Sequence, residues 1–538
     1  MSAEPAVLAE GPAIAAAPTT EAAASGMSRA WVNTASRYGS RLVSMGIGFA
    51  LTPYLLHHLG AKALGLQVLA SQAFQFCTLF GDACNRGYSR YAAVHYARGE
   101  IGRMNAVLSQ GLVLSLVAAA LVGLAAAAQN LFAGPLLGLD GDLLTAGRMV
   151  LALIAFGYLV EFGSGVWGAA LFIRQQLYVL EVVNLGSRVA AAAAVVALFA
   201  WLPPSIVTWV LVTVLFAAAF RLFYMIPVAQ RALPEMTLSL RVPMDAQLWS
   251  MLRFSFAGLV GHVGFLLYYA SSSIVISHLP ELGADKIIVY NLGQRWDPQV
   301  REVVLALAAS LTPVFTALFA TGNREGLQKA ILAGTKQSLM LGLLPCLIFM
   351  IYAEPFLRLW VGPGYAREGA EVLRVCMVSV LATIPAIVNY EVLVAMGRVR
   401  TVAILEVLGG AVNVVLGIVF VRYCGLGLLG IALGNLTVRV VLTGLFIPYY
   451  ACRWSGLGLR RYLSSAVVPA VLAALPAAAV GALWGGWARP ATWLELFIQG
   501  SVVTICYAVS VAFIALTPSE RRTLSDRLAR VLPRAQRP

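Results

Sequence analysis

Long apolar segments alternate with short polar connections along almost the whole chain after residue 30. A membrane-spanning helix needs about 20 mainly apolar residues. The segments that meet this length lie at roughly 31–58, 64–86, 104–128, 146–172, 178–201, 205–230, 248–278, 286–320, 329–352, 370–396, 402–422, 426–451, 462–484 and 493–516. The pattern therefore predicts an all-α polytopic membrane protein with about fourteen transmembrane helices.

The composition agrees with this prediction and excludes a soluble globular protein. Of the 538 residues, 60% are hydrophobic and only 12% are charged, whereas charged residues make up about 25% of soluble domains. The formal net charge is +14, but the basic residues are scattered between apolar blocks and form no basic stripe with interleaved aromatics. The charge therefore indicates positive loops at a membrane and no nucleic-acid surface.

The distribution of lysine and arginine predicts the orientation, since these residues are enriched in cytosolic loops. One side of the predicted topology collects Arg86, Arg90, Arg98, Arg103, Arg174, Arg231, Arg241, Arg324, Lys329, Lys336, Arg398, Arg400, Arg453, Arg460 and Arg461. The other side holds Lys62, Arg148, Lys286, Arg358, Arg367, Arg422 and Arg489. We therefore expect a protein of the cytoplasmic (inner) membrane with both termini in the cytosol.

Both ends of the chain are predicted to be cytosolic tails. Residues 1–28 lack the basic start of a signal peptide and are interrupted by prolines, which predicts a disordered tail. Residues 518–538 are basic and place Leu524, Leu528 and Leu532 on one helical face. This pattern is typical of an amphipathic helix at a membrane surface, although a solvated basic tail is an equally good interpretation.

Two segments recur at an offset of roughly 220 residues and indicate an internal repeat. HHLGAKALGLQVLASQ at 57–72 is echoed by HLPELGADKIIVYNLGQ at 278–294. IRQQLYVLEVVNLGSRVAAAAAVV at 173–196 is echoed by GRVRTVAILEVLGGAVNVVLGIVF at 397–420. The chain is therefore predicted to contain two similar halves of six helices each.

The repeat predicts the domain organisation. We expect one six-helix lobe at 29–235, a second at 236–455, and two extra transmembrane helices at 456–517. Because six is an even number, both copies enter the membrane from the same side, as in a parallel repeat with its axis along the membrane normal. Such pseudo-symmetric lobes usually enclose a central cavity.

Other chemistries find little support in the sequence. The seven cysteines form no CxxC pair or Cys/His ligand spacing, and His262 is alone in its segment. This spacing predicts no metal site. No GxxxxGK[ST] phosphate loop is present, so we expect no ATP motor, and we expect no cofactor. A membrane glycosyltransferase or polymerase would need a large outer loop, whereas the longest outer connection, about 129–145, offers only Asp140 and Asp142 in a turn-like GLDGD. An enzyme is therefore not expected.

Four segments in a fixed order carry a resemblance to a known family. They are LHHLGAKALGLQVLASQ, FGDACNRGYSRYAAVHYARGE, IIVYNLGQRWDPQVREVVLALAASLTPVFTALFATGNREGLQKA and LLPCLIFMIYAEPFLRLWVGPGY. Together they resemble the lipid-linked oligosaccharide (polysaccharide and O-antigen) flippases of the multidrug, oligosaccharidyl-lipid and polysaccharide exporter superfamily, over roughly residues 31–451. The resemblance implies a V-shaped fold of two lobes. It also implies alternating access that moves a polyprenyl-diphosphate-linked sugar chain to the outer leaflet.

Charged residues inside the predicted helices are the candidate functional groups, because a charge at a helix centre costs about 2.5–3.5 kcal/mol by insertion scales. At about 1.5 Å rise per residue, Arg295, Asp297 and Arg301 lie about 12, 15 and 21 Å into the eighth segment. The same count places Arg41 about 22 Å from the outer end of the first helix, and Arg37 near the cytosolic interface.

Three further deep charges complete the set. Arg188, Arg439 and Glu161 lie in the fifth, twelfth and fourth predicted helices. For each of them, a structural ion pair inside its own lobe is as good an interpretation as a role in transport. Asp297 is followed by Pro298, which is expected to kink its helix.

Guanidinium groups bind phosphate oxygens in a bidentate manner, which suggests a cationic lumen for a diphosphate head. The candidate substrate-binding residues are Arg41, Arg188, Arg295, Arg301 and Arg439. Glu161 and Asp297 are candidate carriers of a coupling proton or sodium ion. Expected partners are the lipid-linked oligosaccharide, membrane lipids and polysaccharide polymerase machinery. The competing interpretation is a multidrug exporter of the same superfamily, in which lumenal acids should outnumber arginines.

Overall fold

The computed structural model describes residues 20–134, 141–241, 245–518 and 520–522, and its regular secondary structure within these ranges is helical. The first helices are α1 (Thr20–Ala97), α2 (Ile101–Leu131), α3 (Gly141–Gly163), α4 (Gly165–Ile173), α5 (Leu177–Trp201), α6 (Ile206–Ala219) and α7 (Ile226–Ala232). The middle helices are α8 (Ala246–Tyr269), α9 (Ser271–His278), α10 (Ala284–Gln294), α11 (Trp296–Ala320), α12 (Arg324–Val361) and α13 (Pro363–Ala395). The last are α14 (Val399–Arg422), α15 (Gly427–Val438), α16 (Ile447–Ser455), α17 (Leu459–Tyr462), α18 (Val468–Trp487) and α19 (Trp493–Ser510). The predicted all-α fold class is confirmed.

Twelve helical stretches among the described residues are long and apolar enough to cross a membrane. The first, Val32–Ala97, has 66 residues, a length of about 100 Å at 1.5 Å per residue, which far exceeds one crossing. Gly60 interrupts it with a φ of 78°, a conformation that suits glycine because it has no Cβ. Two crossings therefore lie within this stretch, as the sequence predicts. The predicted number of about fourteen transmembrane helices is approximate.

The chain ends differ in part from expectation. Helix α1 begins at Thr20, whereas the sequence predicts a disordered tail up to residue 28. Residues 1–19 and 523–538 lie outside the described residues, and with them Leu524, Leu528 and Leu532 of the predicted surface helix.

The internal repeat is visible in the turns between helices. At the turn before α2, Gly99 has a φ of 73°, and Glu100 N donates to His95 O at 3.0 Å. At the turn before α12, Gly322 has a φ of 67°, and Asn323 N donates to Leu318 O, also at 3.0 Å. The two turns therefore share the same hydrogen-bond pattern in the two halves of the chain.

A second pair of turns repeats in the same way. Gln175, before α5, and Gly397, before α14, have φ values of 56° and 71°. The residue that follows each of them donates its N–H to a carbonyl five residues earlier, at 2.8 Å in both cases. Glutamine rarely adopts this left-handed conformation, so its presence at the repeat position of a glycine supports a common origin of the two halves.

The chain divides into two compact units. The first unit contains α1 up to Leu59 together with Ala73–Leu259, and the second contains Gly60–Gln72 together with the chain from Val260 onward. The sequence places the boundary at residue 235, whereas the structure places it within α8. The reason is packing, since Met251 of α8 joins the core of the first unit and Gly264 lies against Glu406 of the second.

The connection between the two predicted lobes is fastened to α2 in the first unit. Asn105 Nδ2 donates to Glu235 O at 2.9 Å, and Asn105 Oδ1 accepts from Thr237 N at 3.1 Å. Ser109 Oγ accepts from Ser239 N at 3.0 Å. These bonds satisfy backbone groups of an extended segment that no helix or sheet would otherwise pair.

The two extra helices, α18 and α19, belong to the second unit and pack against α12. A Cβ at Gly481 would lie 2.6 Å from Ile351 Cδ1, so a larger residue there would displace the isoleucine side chain. Tyr507 OH on α19 donates to Met340 O on α12 at 2.8 Å. The small residues of this segment therefore serve packing within one chain.

The end of the last helix is tied to α12 by an ion pair. Lys336 Nζ lies 2.7 Å from Glu520 Oε2, and the lysine side chain is only 8% exposed. Burial raises the pKa of Glu520, but hydrogen bonds from Lys336 and Thr517 outweigh it and hold the pKa below its ordinary value.

Replacing Glu520 with glutamine should lower the Tm at neutral pH by removing about 1 kcal/mol, a small value because the carboxylate is partly exposed. The folded pKa is depressed, so the contribution is present above an ordinary pKa of about 4.3 and is lost as the pH falls through the folded pKa. The Tm difference between the two proteins, measured by scanning fluorimetry, should therefore vanish in acid. Glu325→Gln is the matched control, since its pair with Lys329 is also 2.7 Å long but exposed. An equal loss in both variants would contradict the prediction.

Candidate functional site

The second unit contains a buried ion pair between two of the predicted site residues. Arg439 follows α15 at the start of a π-helical turn, Arg439–Phe446, and Asp297 lies in the first turn of α11. Arg439 Nη1 donates to Asp297 Oδ2 at 2.7 Å, and the two side chains are 2% and 3% exposed. Burial at this level is tolerated because the opposite charges neutralise each other.

Two tyrosines complete the surroundings of this pair. Tyr269 OH donates to Asp297 Oδ1 at 2.9 Å, so both carboxylate oxygens accept a hydrogen bond. The guanidinium of Arg439 lies 4.8 Å from the Tyr269 ring centroid and 5.3 Å from that of Tyr268, within the range of cation–π contacts.

Two of the sequence-based roles concern this pair. Asp297 accepts one hydrogen bond on each carboxylate oxygen, from Arg439 and from Tyr269. Arg439 is enclosed with its counterion and presents no guanidinium edge to a cargo. Arg439 therefore lies in a structural ion pair, the alternative that the sequence left open for it, and Asp297 is its partner.

The side chains of Arg295 and Arg301, the two arginines predicted near Asp297, lie in different surroundings. Arg301 follows Asp297 by four residues, so both lie on the same face of α11, and Arg301 interacts electrostatically with Tyr268 and Tyr269. Arg295 is six residues from Arg301, a rotation that leaves the two about 120° apart on a helix. Its guanidinium instead lies 5.9 Å from the ring centroid of Trp360.

The first unit contains a second ion pair, in which Glu161 is one partner. Arg221 Nη2 donates to Glu161 Oε1 at 2.5 Å, and the side chains are 20% and 45% exposed. Arg221 belongs to a π-helical turn, Phe220–Met225, that directly precedes Ile226 and Pro227. The sequence analysis missed this arginine, although the depth count applied to Arg439 would have found it.

Glu161 and Arg221 face a cavity of about 400 Å³ in the first unit. Helices α1 to α5 and the π-helical turn Phe220–Met225 contribute its walls. The charged lining residues are Asp82, Arg86, Glu161 and Arg221, and the uncharged polar ones include Asn85, Ser89 and Asn184. Sequence reasoning assigned Arg86 to a cytosolic loop and did not single out Asp82.

A cluster of basic residues, here called the basic cluster, lies elsewhere in the first unit. It consists of Arg37, Arg41 and Arg188. Arg41 interacts electrostatically with the two other arginines and with the acid Glu181. Arg37 and Arg188 are exposed, and Arg41 is half-buried. The structure thus brings together Arg41 and Arg188, two of the residues that the sequence predicts for the substrate.

A side-chain clamp holds the two helices of the basic cluster together. Asn33 on α1 accepts from Tyr178 N at 3.0 Å and donates to Gln175 O at 2.9 Å. It therefore caps the first turn of α5, whose N–H groups have no partner within the helix. The clamp fixes α1 beside α5, which carries Glu181 and Arg188.

The sequence also pointed to Asp140, Asp142 and His262 as polar groups in or near the apolar segments. In the part of the chain that the structure describes, no group of three or more His, Cys, Asp or Glu side chains could hold a metal ion. Asp140 lies outside the described residues, and so do the side chains of Asp142 and His262.

Known proteins share this fold. The MatE family model matches residues 260–419. The "Uncharacterized membrane protein EpsK" of Bacillus subtilis (strain 168) is 24% identical over 507 residues, which cover 92% of this chain and 97% of that protein. The structure of lipid II flippase MurJ in an inward closed conformation aligns with a TM-score of 0.67 at 11% identity, over 89% of this chain and 98% of MurJ.

An inward-facing multidrug resistance MATE family transporter of the MOP superfamily aligns with a TM-score of 0.62 at 16% identity, over 78% of this chain and 94% of that one. At such identities, the structural matches establish a common fold. Together with the MatE match, they support the multidrug, oligosaccharidyl-lipid and polysaccharide exporter superfamily that the resemblance implies.

Proposed function

We propose that this membrane protein is a flippase that moves a polyprenyl-diphosphate-linked oligosaccharide across the cytoplasmic membrane by alternating access, for lipopolysaccharide or exopolysaccharide export. The observation that carries the proposal is the basic cluster, in which Arg41 has Arg37, Arg188 and the carboxylate of Glu181 as electrostatic neighbours. A net positive charge inside a membrane helix is costly unless it serves a ligand or a partner. A diphosphate head is a ligand of the required sign.

The chemistry of the cluster suits a diphosphate. Arginine remains charged in an apolar environment and presents a planar fork of donors to phosphate oxygens. Charge-assisted hydrogen bonds of this kind are about twice as strong as neutral ones. We assign diphosphate binding to Arg41 and Arg188 of the first unit. Arg301 is a separate basic candidate in the second unit.

The fold supports the same proposal, since the chain aligns over most of its length with a protein named as a lipid II flippase. Proposed partners are the lipid-linked cargo, membrane lipids and the polymerase machinery that would elongate the exported sugar. Both termini are proposed to lie in the cytosol.

Energy for transport is proposed to come from an ion gradient, and Glu161 is the candidate carrier. Its carboxylate is 45% exposed and bonded to Arg221 through one oxygen. A proton or sodium ion that competes for this carboxylate would loosen the pair between Glu161 and Arg221. We place the carrier at Glu161 and not at Asp297, because the side chain of Asp297 is only 3% exposed and is paired with Arg439.

A multidrug exporter is the second candidate, and the MatE match over residues 260–419 favours it. An exporter of organic cations would place acidic groups in its substrate path. The basic cluster has the opposite charge, which is why we prefer the flippase.

Transport in proteoliposomes tests the choice. We expect the purified protein to expose a fluorescent polyprenyl-diphosphate disaccharide to a membrane-impermeant quencher faster than empty vesicles do. The same disaccharide on an uncharged lipid anchor should not respond, because it lacks the diphosphate. An imposed pH or sodium gradient should change the rate for the wild type and not for Glu161→Gln.

Two results would oppose the proposal. Movement of both lipids at the same rate would show that the diphosphate is not recognised. Extrusion of a cationic dye without any lipid movement would favour the exporter.

A further inference from the structure

The cavity of the first unit differs in charge from the basic cluster. Its two carboxylates, Asp82 and Glu161, are matched by two guanidinium groups, Arg86 and Arg221. An anion entering the cavity would meet repulsion from the acids, and a cation would meet repulsion from the arginines. The balanced lining therefore favours an uncharged ligand with many polar groups.

Hydroxyl groups fit this lining chemically. A hydroxyl donates one hydrogen bond and accepts others, and it therefore needs acceptors and donors side by side. Carboxylates only accept and guanidinium groups only donate, so Glu161 and Arg221, held 2.5 Å apart, can bond one hydroxyl or two adjacent ones together. Asn184 adds an amide that can do both.

Aromatic walls supply the other half of the recognition. Phe162 and Phe172 line the same cavity, and aromatic rings offer a flat apolar surface. A sugar ring has the matching shape, with an apolar face and a hydroxylated rim. A volume of about 400 Å³ lies within the range of small-molecule sites.

We propose that this cavity binds an uncharged sugar unit of the cargo through its hydroxyl groups. The inference rests on the proposed function, since it names the part of the lipid-linked oligosaccharide that the first unit reads. The diphosphate and the sugar are then recognised by different residues, the former by the basic cluster and the latter by the cavity.

Gly168 on α4 provides a way to fill the cavity without removing any polar group. It lines the cavity, and a Cβ built on it meets only Leu180 Cδ2, at 3.9 Å. Alanine therefore fits and even favours the helix, whereas methionine would extend into the cavity. Gly123 on α2 is a matched control, since its Cβ would also meet only one leucine Cδ2, from Leu159, at 3.9 Å, and it does not line the cavity.

Saturation-transfer NMR on the full chain in lipid nanodiscs tests the proposal with glucose, galactose, N-acetylglucosamine, rhamnose and glucuronate. We expect at least one uncharged sugar to bind more tightly than glucuronate. Gly168→Met should weaken that binding by at least about tenfold, because the methionine side chain takes the space of the sugar and keeps its hydroxyl groups from reaching the polar lining. Gly168→Ala and Gly123→Met should bind as the wild type does.

Each outcome decides the proposal. If none of the sugars binds, or if Gly168→Met binds as well as Gly123→Met, the cavity is not a sugar site. If Gly168→Met fails to fold, Asn184→Leu replaces it, since Asn184 is exposed and lines the cavity.

Arg41→Ala separates this inference from the proposed function. It should leave sugar binding unchanged and weaken the binding of inorganic pyrophosphate. If no variant loses pyrophosphate binding, the result counts against the flippase alone. If Arg41→Ala loses sugar binding, the result counts against the cavity as an independent site.

Discussion

Replacing Arg439 with methionine should prevent the folded protein from accumulating. The substitution leaves the Asp297 carboxylate, which is 3% exposed, without its counterion, although the hydrogen bond from Tyr269 remains. Breaking a buried ion pair from one side costs about 3–5 kcal/mol, a large share of the roughly 5–15 kcal/mol that stabilises a typical domain. Yield on size-exclusion chromatography and Tm in detergent measure the effect.

The controls separate the ion pair from the mere loss of an arginine. Asp297→Asn combined with Arg439→Met removes both charges and should recover most of the yield, because paired replacement of a buried ion pair is often nearly neutral. Arg422→Met removes an exposed arginine at the end of α14 and should have no effect. A stable Arg439→Met protein with the Tm of the wild type would show that Asp297 needs no counterion.

Substituting alanine for Arg41 or Arg188 should weaken the binding of the polyprenyl-diphosphate disaccharide by about 10- to 150-fold while the protein still folds. Each change removes hydrogen bonds to a charged group, worth about 1.5–3 kcal/mol, and 1.4 kcal/mol corresponds to about tenfold in affinity. Folding should persist because Arg188 is exposed and Arg41 is only half-buried. Fluorescence titration in nanodiscs measures the affinity.

Lysine variants test whether geometry matters beyond charge. Arg188→Lys keeps the charge but loses the bidentate fork, so we expect an affinity between those of the wild type and Arg188→Ala. Arg231→Ala removes an exposed arginine of the same unit at the end of α7 and should bind normally. Unchanged affinity in both alanine variants would refute the assignment of the basic cluster.

Much of the candidate site was visible in the sequence, but its grouping was not. The depth count singled out Arg41, Arg188, Arg301, Arg439 and Glu161 as charges predicted to lie within the membrane, because depth follows from position along a helix. Depth along a helix does not show which of these charges are neutralised by an oppositely charged side chain. Asp297 and Arg439 are 142 positions apart, and only the tertiary fold of the second unit brings them together.

Arg295 shows the same limit for the direction of a side chain. Six residues separate it from Arg301, so both reach the membrane interior by the depth count. The rotation of α11 about its axis sends Arg295 toward Trp360 and Arg301 toward the tyrosines beside Arg439. Rotation depends on which neighbours pack around a helix, and local sequence carries little of that information.

By itself the sequence determined the helical class and the repeat. A backbone in a bilayer must satisfy its hydrogen bonds internally, so each long apolar segment could only be a helix, and the recurring Leu-Gly-Ala and Gly turns marked the two halves. Only the tertiary structure decided the unit boundary within α8, the ion pairs of Asp297 and Glu161, and the cavity that Glu161 lines. These depend on contacts between residues far apart in the chain, where close packing selects one partner among several arginines of equal depth.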